Sequence, residues 1–464
     1  MLPATLVRLI RRFGDSRIYS TDYAFAMLGD DGSVVTWGSD KHGGDSSAVQ
    51  TQLQVVDTIY SNGYAFAAKL TDGRVVTWGL ADHGGDSSSV QAQLQGVEKM
   101  YSTCYAFAAK QADGRIVTWG GGWDWRPWAG TWSHPGELQE VDTICSTDSA
   151  FAAKLVNGRV VTWGEASGGG DSSAVQAQLQ GVETIYSNGY AFVAKLADGR
   201  AVQWGQGFTA GYVGVPTPAG GQLQGVDTIY STMYAFAAKL VDGRVVTWGS
   251  KDCGGQYFGA DSSAVQAQLQ GVDTIYSTGG AFAAKLTDGR VVTWGNPDDG
   301  GDSRSVQDQL QSVDTICSTR YGGFAAKLAN GRVVTWGCDI NGGDSSAVQT
   351  QLQGVDTIYS NVGAFAAKRG DGRVVTWGRA DYGGDSSSVK DQLQGVDAIS
   401  TTYRAFAAKL ADGRVVTWGA LGGEQKVESG GDSSSVQAQL RPCVCVCCVV
   451  ATTGGLRSSI NINL

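Results

Sequence analysis

Alternating small and large apolar residues, then a polar turn and a second apolar run, recur along most of the chain. One copy reads AFAAKLTDGRVVTWG, and close variants of it occur ten times. Side chains alternate along a strand, so Phe66, Ala68 and Leu70 share one side. The Asp72-Gly73 pair between the apolar runs is a strong hairpin signal, of the type I′ turn in which both central residues have positive φ. The pattern predicts an antiparallel hairpin in every copy.

A further strand is predicted before each hairpin. In the second copy it covers Val56 to Ser61, and the hairpin strands cover 65–70 and 74–78. Its β-branched and aromatic residues favour an extended backbone. Both faces of these strands are largely apolar, which is typical of sheets packed face to face. Each copy ends in Trp-Gly, and we expect these tryptophans in the core: Trp37, Trp78, Trp119, Trp163, Trp204, Trp248, Trp294, Trp336, Trp377 and Trp418.

The repeat has a period of about 41 residues, and a period of this size is typical of a propeller or solenoid. The copies follow one another without a linker, which predicts one domain over 18–440. A poorly ordered leader over 1–17 and a divergent, Cys-rich tail over 441–464 flank it. We predict an all-β, propeller-like ring or wide spiral of about ten three-stranded antiparallel blades. Short helical turns are expected in the connectors.

The connectors share a Gly-Gly-Asp-Ser-Ser pattern. In the second copy Asp86 precedes a short amphipathic run, which predicts a helix N-cap followed by one or two turns. A calcium site is the alternative, but the nonapeptide spacing of calcium-binding repeats is missing. The Lys of AAKL and the Arg of DGR lie beside a turn in nearly every copy, and we expect both to be solvated.

The hairpin, the closing Trp-Gly and the Gly-rich connector resemble the regulator-of-chromosome-condensation repeat, which builds β-propellers. The resemblance is carried by Asp72, Gly73, Trp78 and Gly79 and their equivalents over nearly the whole chain. Tyr64 stands where that family has His. The repeat length is closer to that of the bacterial β-lactamase-inhibitor propeller, and ten copies exceed the four to eight blades usual in propellers. One branch of the family exchanges guanine nucleotides on a small GTPase, so the resemblance implies an exchange factor or GTPase regulator as an alternative function.

Charge and composition exclude several classes of function. A net charge of −9 argues against a general nucleic-acid binder, and no apolar run is long enough to span a membrane. The five cysteines within the repeats form no CxxC pair, which favours a reducing compartment, cytoplasmic or nuclear. Arg8, Arg11 and Arg12 in the leader leave organelle import open beside a frayed or capping helix.

The copies differ at two places, which we expect at the same end of every blade, opposite the Asp-Gly turns. The first is the residue after Ser-Thr or Ser-Asn, and the second is the segment after Trp-Gly. Variable loops on a rigid scaffold are typical of binding surfaces. The predicted binding residues are Trp123, Trp125, Trp128, Trp132, Asp148, Phe208, Tyr212, Met233, Tyr257, Phe258, Arg320 and Tyr403.

These differences favour a non-catalytic scaffold that binds a protein partner. Clustered tryptophans are typical of interface hot spots, although the Trp-rich insert could instead plug the channel of the ring. Drift after duplication is a further explanation of the variable positions. The only histidines are His42, His83 and His134, and the first two are equivalent repeat positions. We therefore expect no enzyme activity, no metal and no cofactor, and neither nucleic acid nor membrane as a partner.

The repeat breaks off after Leu440. The tail RPCVCVCC and the polar stretch behind it match no copy. We interpret the tail as a lost reading frame, an unspliced intron or a truncation, with an added edge strand on the last blade as the alternative.

Overall fold

Ten three-stranded antiparallel sheets follow one another along the chain, and each is built from consecutive strands. The computed structural model describes residues 17–121, 138, 140–205, 223–249, 259–420, 430–437 and 439–440. We number the sheets as blades 1 to 10 in chain order. The predicted fold class, an all-β, propeller-like ring or wide spiral of about ten three-stranded blades, is confirmed.

The strand bounds follow the repeat closely. The first strands are Arg17–Ser20, Val56–Ser61, Val97–Ser102, Val141–Ser146, Val182–Ser187, Val226–Ser231, Val272–Ser277, Val313–Ser318, Val355–Ser360 and Val396–Thr401. The second strands are Ala24–Leu28, Ala65–Leu70, Ala106–Gln111, Ala150–Leu155, Ala191–Leu196, Ala235–Leu240, Ala281–Leu286, Gly323–Leu328, Ala364–Arg369 and Ala405–Leu410. The third strands are Val34–Gly38, Val75–Gly79, Ile116–Gly120, Val160–Gly164, Ala201–Gly205, Val245–Gly249, Val291–Gly295, Val333–Gly337, Val374–Gly378 and Val415–Gly419.

The connectors contain short 3-10 helices. Those described are Asp40–His42, Ser47–Val49, Ala81–His83, Gln91–Gln93, Ala166–Gly168, Ser173–Gln178, Ser263–Gln268, Pro297–Asp299, Gln307–Gln309, Asp339–Asn341, Ser346–Gln351, Ala380–Tyr382, Ser387–Gln392 and Ser434–Val436. No helix in these parts of the chain is long and apolar enough to cross a bilayer.

The hairpin turn differs in type from the prediction. Gly73 has a φ of +81°, but Asp72 is not among the residues with positive φ, so the turn is not type I′. The N–H of Gly73 donates to the carbonyl of Leu70 at 3.0 Å, and the N–H of Leu70 donates to the carbonyl of Arg74 at 2.8 Å. This is a three-residue loop, in which a type I turn is followed by a left-handed glycine.

The core lies between the blades. Phe66, Ala68 and Trp78 of blade 2 pack against blade 1, whereas Ala65 and Ala67 on the other face pack against blade 3. One face of each blade is therefore bulky and the other is small, so neighbouring blades interlock. The ten tryptophans of the Trp-Gly pairs are buried, as predicted, and Trp78 stacks on Phe66 with ring centroids 5.2 Å apart.

Polar side chains attach the connector of blade 2 to the strand that precedes it. The hydroxyl of Ser87 lies 2.9 Å from that of Thr77 and donates to Gln91, whose side-chain amide donates to the carbonyl of Val75. The N–H of Ser88 donates to the carboxylate of Asp86 at 2.8 Å. The predicted Asp N-cap is wrong: the 3-10 helix begins at Gln91, and the aspartate closes a turn before it.

The recurring lysine is not the solvated residue that we expected. Lys69 has only 19% of its side chain exposed, because its Nζ lies 2.9 Å from the carboxylate of Asp57 in the same blade. The same ammonium donates to the carbonyl of Glu98 in the next blade at 3.3 Å. The lysine thus links neighbouring blades, whereas the turn arginine Arg74 is 55% exposed, as predicted.

The ten blades form a closed ring. First strands of neighbouring blades contact each other at every junction, including that of blade 10 with blade 1. There the hydroxyl of Ser20 donates to the carbonyl of Thr401 at 2.7 Å. Phe25 and Trp37 of blade 1 pack against Ala405 of blade 10 and its neighbours in one apolar cluster. The ring, not the spiral, is therefore the form that this chain adopts.

The first strands surround the axis, and the Asp-Gly turns lie at one end of the ring. Positions 1–16 of the predicted leader and the whole tail after Leu440 lie outside the described residues.

Candidate binding face

The two variable places of the repeat lie at the same end of the ring, as predicted. We call the loop between the first and second strands of each blade its axial loop. In blade 2 the side-chain amide of Asn62, in the axial loop, donates to the carbonyl of His83 in the connector at 2.7 Å. The N–H of Leu80 donates to the carbonyl of Tyr64 at 3.1 Å. The axial loops and the connector segments after Trp-Gly thus form one surface, the variable end.

Main-chain hydrogen bonds join neighbouring axial loops. The N–H of Asp22 donates to the carbonyl of Gly63, and the N–H of Tyr403 donates to the carbonyl of Asp22, both at 3.0 Å. Main-chain N–H groups of other axial loops donate equivalent bonds to a carbonyl in the loop of the next blade. The donors are Cys104, Asp148, Met233, Gly279 and Tyr321. The residues that differ most between copies are therefore held on a regular backbone, as a rigid binding surface requires.

Packing accounts for some of the variation. A Cβ on Gly63 would lie 3.1 Å from the carboxylate of Asp22, and a Cβ on Gly189 would lie 3.1 Å from that of Asp148. Both aspartates are thus followed, one blade on, by a glycine that makes room for the carboxylate.

Charged groups from distant blades interact across the axis. Burial raises the pKa of Asp22 to about 6, while the positive charge of Arg320 lowers this pKa and the negative charge of Asp148 raises it. Burial also raises the pKa of Asp148. The thiol of Cys104 donates a hydrogen bond to this carboxylate at 3.3 Å, which lowers the same pKa. Asp22 belongs to blade 1, Cys104 to blade 3, Asp148 to blade 4 and Arg320 to blade 8. The centre of the variable end is therefore partly desolvated and carries both signs of charge.

Tyrosine rings form an arc around this centre. Tyr23 and Tyr64 have centroids 5.8 Å apart, and those of Tyr64 and Tyr105 are 5.7 Å apart. His42 and His83 pack against these rings, and burial lowers the pKa of both histidines. In order around the ring, the arc contains Tyr321, Tyr403, Tyr23, Tyr64 and Tyr105.

The structure places four of the twelve predicted binding residues on the variable end, namely Asp148, Met233, Arg320 and Tyr403. Arg320 is exposed and the other three are partly buried. The remaining eight lie outside the described residues: Trp123, Trp125, Trp128, Trp132, Phe208, Tyr212, Tyr257 and Phe258.

Sequence reasoning missed the tyrosines that follow the variable residue. Tyr64 and its equivalents recur, whereas the predicted binding residues lie at positions that differ between copies. The signal that could have found them is an aromatic residue directly after a binding position in most copies.

The described residues contain no group of three or more His, Cys, Asp or Glu side chains placed to hold a metal ion. Burial and the charge of Asp148 raise the pKa of the Cys104 thiol, so this group is protonated and a poor nucleophile at neutral pH. The described part of the variable end therefore presents mainly aromatic and charged side chains.

No family model matches the sequence, and no curated protein sequence is similar to it. Solved structures similar in fold include Saccharomyces cerevisiae Prp20p, described with its binding to Gsp1p and histones, at 13% identity and a TM-score of 0.34. That match covers 64% of this chain and 85% of that one. The CRINKLY WD40 ectodomain of the Arabidopsis thaliana receptor kinase ACR4 is 13% identical, with a TM-score of 0.31 and coverage of 61% and 95%. The computationally designed Ika8 protein is 14% identical, with a TM-score of 0.31 and coverage of 69% and 94%. The propeller-like fold is shown by the ten sheets of the chain itself, and the resemblance to the chromosome-condensation family stays a prediction.

Proposed function

We propose that this protein is a non-catalytic scaffold that binds a protein partner through its variable end. One observation carries the proposal: the non-repeating loop residues of the blades gather at one end of a rigid ring, while the other end repeats a single turn. A surface of tyrosines with a few charged groups has the composition of protein interfaces, in which Tyr and Arg are enriched. A location in the cytoplasm or nucleus is part of the same proposal.

Affinity capture with matched variants tests this function. The face variant combines Met233→Ala, Arg320→Ala and Tyr403→Ala. The control combines Arg74→Ala, Arg159→Ala and Arg332→Ala at the Asp-Gly end. We expect the face variant to lose the captured partner and the control to keep it, with both melting temperatures close to that of the unmodified protein. Equal capture by the two variants would contradict the proposal.

A further inference from the structure

The axial loops of blades 8 and 10 depart from the repeat in a similar way. Five of the ten copies place one variable residue and then tyrosine in a three-residue loop between the strands, as in Gly63-Tyr64. Blade 8 instead carries Arg320-Tyr321 in a loop that is one residue longer, and blade 10 carries Tyr403-Arg404. Each departure adds an arginine beside a tyrosine on the variable end.

Glycines hold the longer loop of blade 8 against its neighbour. Gly322 has a φ of +99°, a left-handed conformation that glycine adopts freely. A Cβ at this position would lie 2.6 Å from the Cα of Asp299 in the connector of blade 7. The N–H of Gly323 donates to the hydroxyl of Thr319 at 2.8 Å. The loop that carries Arg320 and Tyr321 is therefore fixed in place.

Guanidinium groups and aromatic rings from blades 8, 9 and 10 pack together. The hydroxyls of Tyr321 and Tyr403 are hydrogen-bonded to each other. The guanidinium carbon of Arg404 lies 4.9 Å from the ring centroid of Tyr382, and that of Arg379 lies 4.6 Å from the same centroid. We call the following set the arginine-tyrosine patch: Arg320, Tyr321, Arg379, Tyr382, Tyr403 and Arg404.

Two of the three arginines of the patch make no ion pair in the described part of the chain, although the charge of Arg320 lowers the pKa of the carboxyls of Asp22 and Asp148. Arg379 is paired with Asp381 at 3.1 Å, but no carboxylate among the described residues lies within ion-pairing distance of Arg320 or Arg404. Arg320 is exposed. The whole chain has a net charge of −9, so a cationic patch on it is a local exception. Such a patch attracts an anionic group.

A cleft of about 800 Å³ adjoins the patch between the connectors of blades 8 and 9. Arg379 lines this cleft and also belongs to the patch. Ile340 also lines the cleft, and its side chain is 69% exposed. It is also lined by Asp339, Asp344 and Asp381, whose carboxylates would repel any anionic group placed inside the cleft. The cleft thus suits an uncharged side chain next to the anionic group.

We propose that the arginine-tyrosine patch binds an acidic polypeptide segment of the partner, with an apolar side chain of that segment beside Ile340. This inference rests on the protein-binding function proposed above and specifies the chemical class of the partner. Arginine makes bidentate, charge-assisted hydrogen bonds to carboxylates, and it keeps its geometry when stacked on a ring. Arg404 and Arg379 are stacked in this way on Tyr382.

Fluorescence anisotropy with the full-length protein tests the inference. The probe is a fluorescein-labelled synthetic peptide in which a run of Glu and Asp is followed by Leu. Arg320→Glu is compared with Arg332→Glu, which reverses an exposed arginine at the opposite end of the same blade. We expect Arg320→Glu to weaken binding by about tenfold or more and Arg332→Glu to change it by less than about twofold. Binding should also weaken as salt is raised.

Tyr321→Ala is a second variant that keeps the charge, and we expect it to weaken binding with an unchanged melting temperature. Equal affinities of the Arg320→Glu and Arg332→Glu proteins, or no binding by the unmodified protein, would overturn the inference. Tighter binding of a phosphoserine peptide or of a single-stranded DNA oligonucleotide would overturn the assignment to an acidic polypeptide. Partner capture that depends on Met233 but not on Arg320 would leave the proposed function standing while removing this inference.

Discussion

Asp22 combines two roles on the variable end. Its main-chain groups join blade 1 to blades 2 and 10, while its carboxyl is desolvated beside Gly63. Burial raises the pKa of this carboxyl from 3.8 to about 6, and Arg320 only partly offsets that effect. A carboxyl whose pKa rises on folding lowers the stability of the folded state when it is ionised and leaves that stability unchanged when it is protonated. Asp22 is therefore a charge that the fold tolerates at neutral pH at a cost in stability.

We expect Asp22→Asn to raise the free energy of unfolding at pH 7.5 by at most about 3 kcal/mol, because the variant removes a charge that folding desolvates. The stability of the unmodified protein should fall as pH rises from about 4 to about 6, and the gain in the variant should vanish near pH 4. Urea unfolding across this range measures both effects. A variant less stable than the unmodified protein at pH 7.5 would show that the attraction to Arg320 outweighs burial.

At the scale of one element, the Asp-Gly turn sets the geometry of each blade. In blade 9 the turn reads Arg369-Gly370-Asp371-Gly372, so two glycines occupy different positions of one loop. Gly372 has a φ of +76° and its Cβ would lie 3.0 Å from the Cα of Gly395. Gly370 is exposed, and its nearest Cβ contact would be an ordinary 3.8 Å. The loop therefore requires glycine at only one of the two positions.

We expect Gly372→Ala to destabilise the protein by about 1–2 kcal/mol, because a left-handed alanine is strained. Gly370→Ala should be neutral or stabilising by up to about 1 kcal/mol, since it reduces the freedom of the unfolded chain. Thermal and urea unfolding of the two variants measure the difference. Equal destabilisation would mean that the turn changes conformation in solution.

At the scale of the whole molecule, closure depends on the junction between blades 10 and 1. Phe25 faces blade 10 there, and Phe151 occupies the equivalent place between blades 3 and 4. Both side chains are completely buried, and each stacks on a tryptophan at a centroid distance of 5.2 Å. The closing junction is thus packed like an internal one.

We expect Phe25→Ala and Phe151→Ala to lower the free energy of unfolding by similar amounts, about 3–5 kcal/mol each, because both remove a buried ring. Chemical unfolding of the two variants makes the comparison. A loss below about 1 kcal/mol for Phe25→Ala alone would mean that blades 10 and 1 are apart in solution.

The candidate site was only partly predictable. The variable positions identified Asp148, Met233, Arg320 and Tyr403, because a residue that differs between near-identical copies stands out in the sequence. Tyr64 and its equivalents were missed because they recur from copy to copy. Core residues such as Trp78 recur in the same way, so recurrence does not distinguish a core residue from a surface residue that stacks on its neighbours. Arg404 was missed because it lies one place beyond the variable position.

The sequence by itself determined the blade. The alternation of small and large apolar residues and the Asp-Gly and Trp-Gly pairs are local signals. They predicted the strand bounds to within about a residue and the burial of the tryptophans in the core. The turn type was not determined, because Asp-Gly occurs both in type I′ turns and in loops with one left-handed glycine. The tertiary structure alone decided that ten copies close into a ring, since closure depends on a small angle between neighbouring blades added over every junction. It alone also decided which charges meet, because Asp22, Asp148 and Arg320 are far apart in sequence and interact only where the blades converge on one axis.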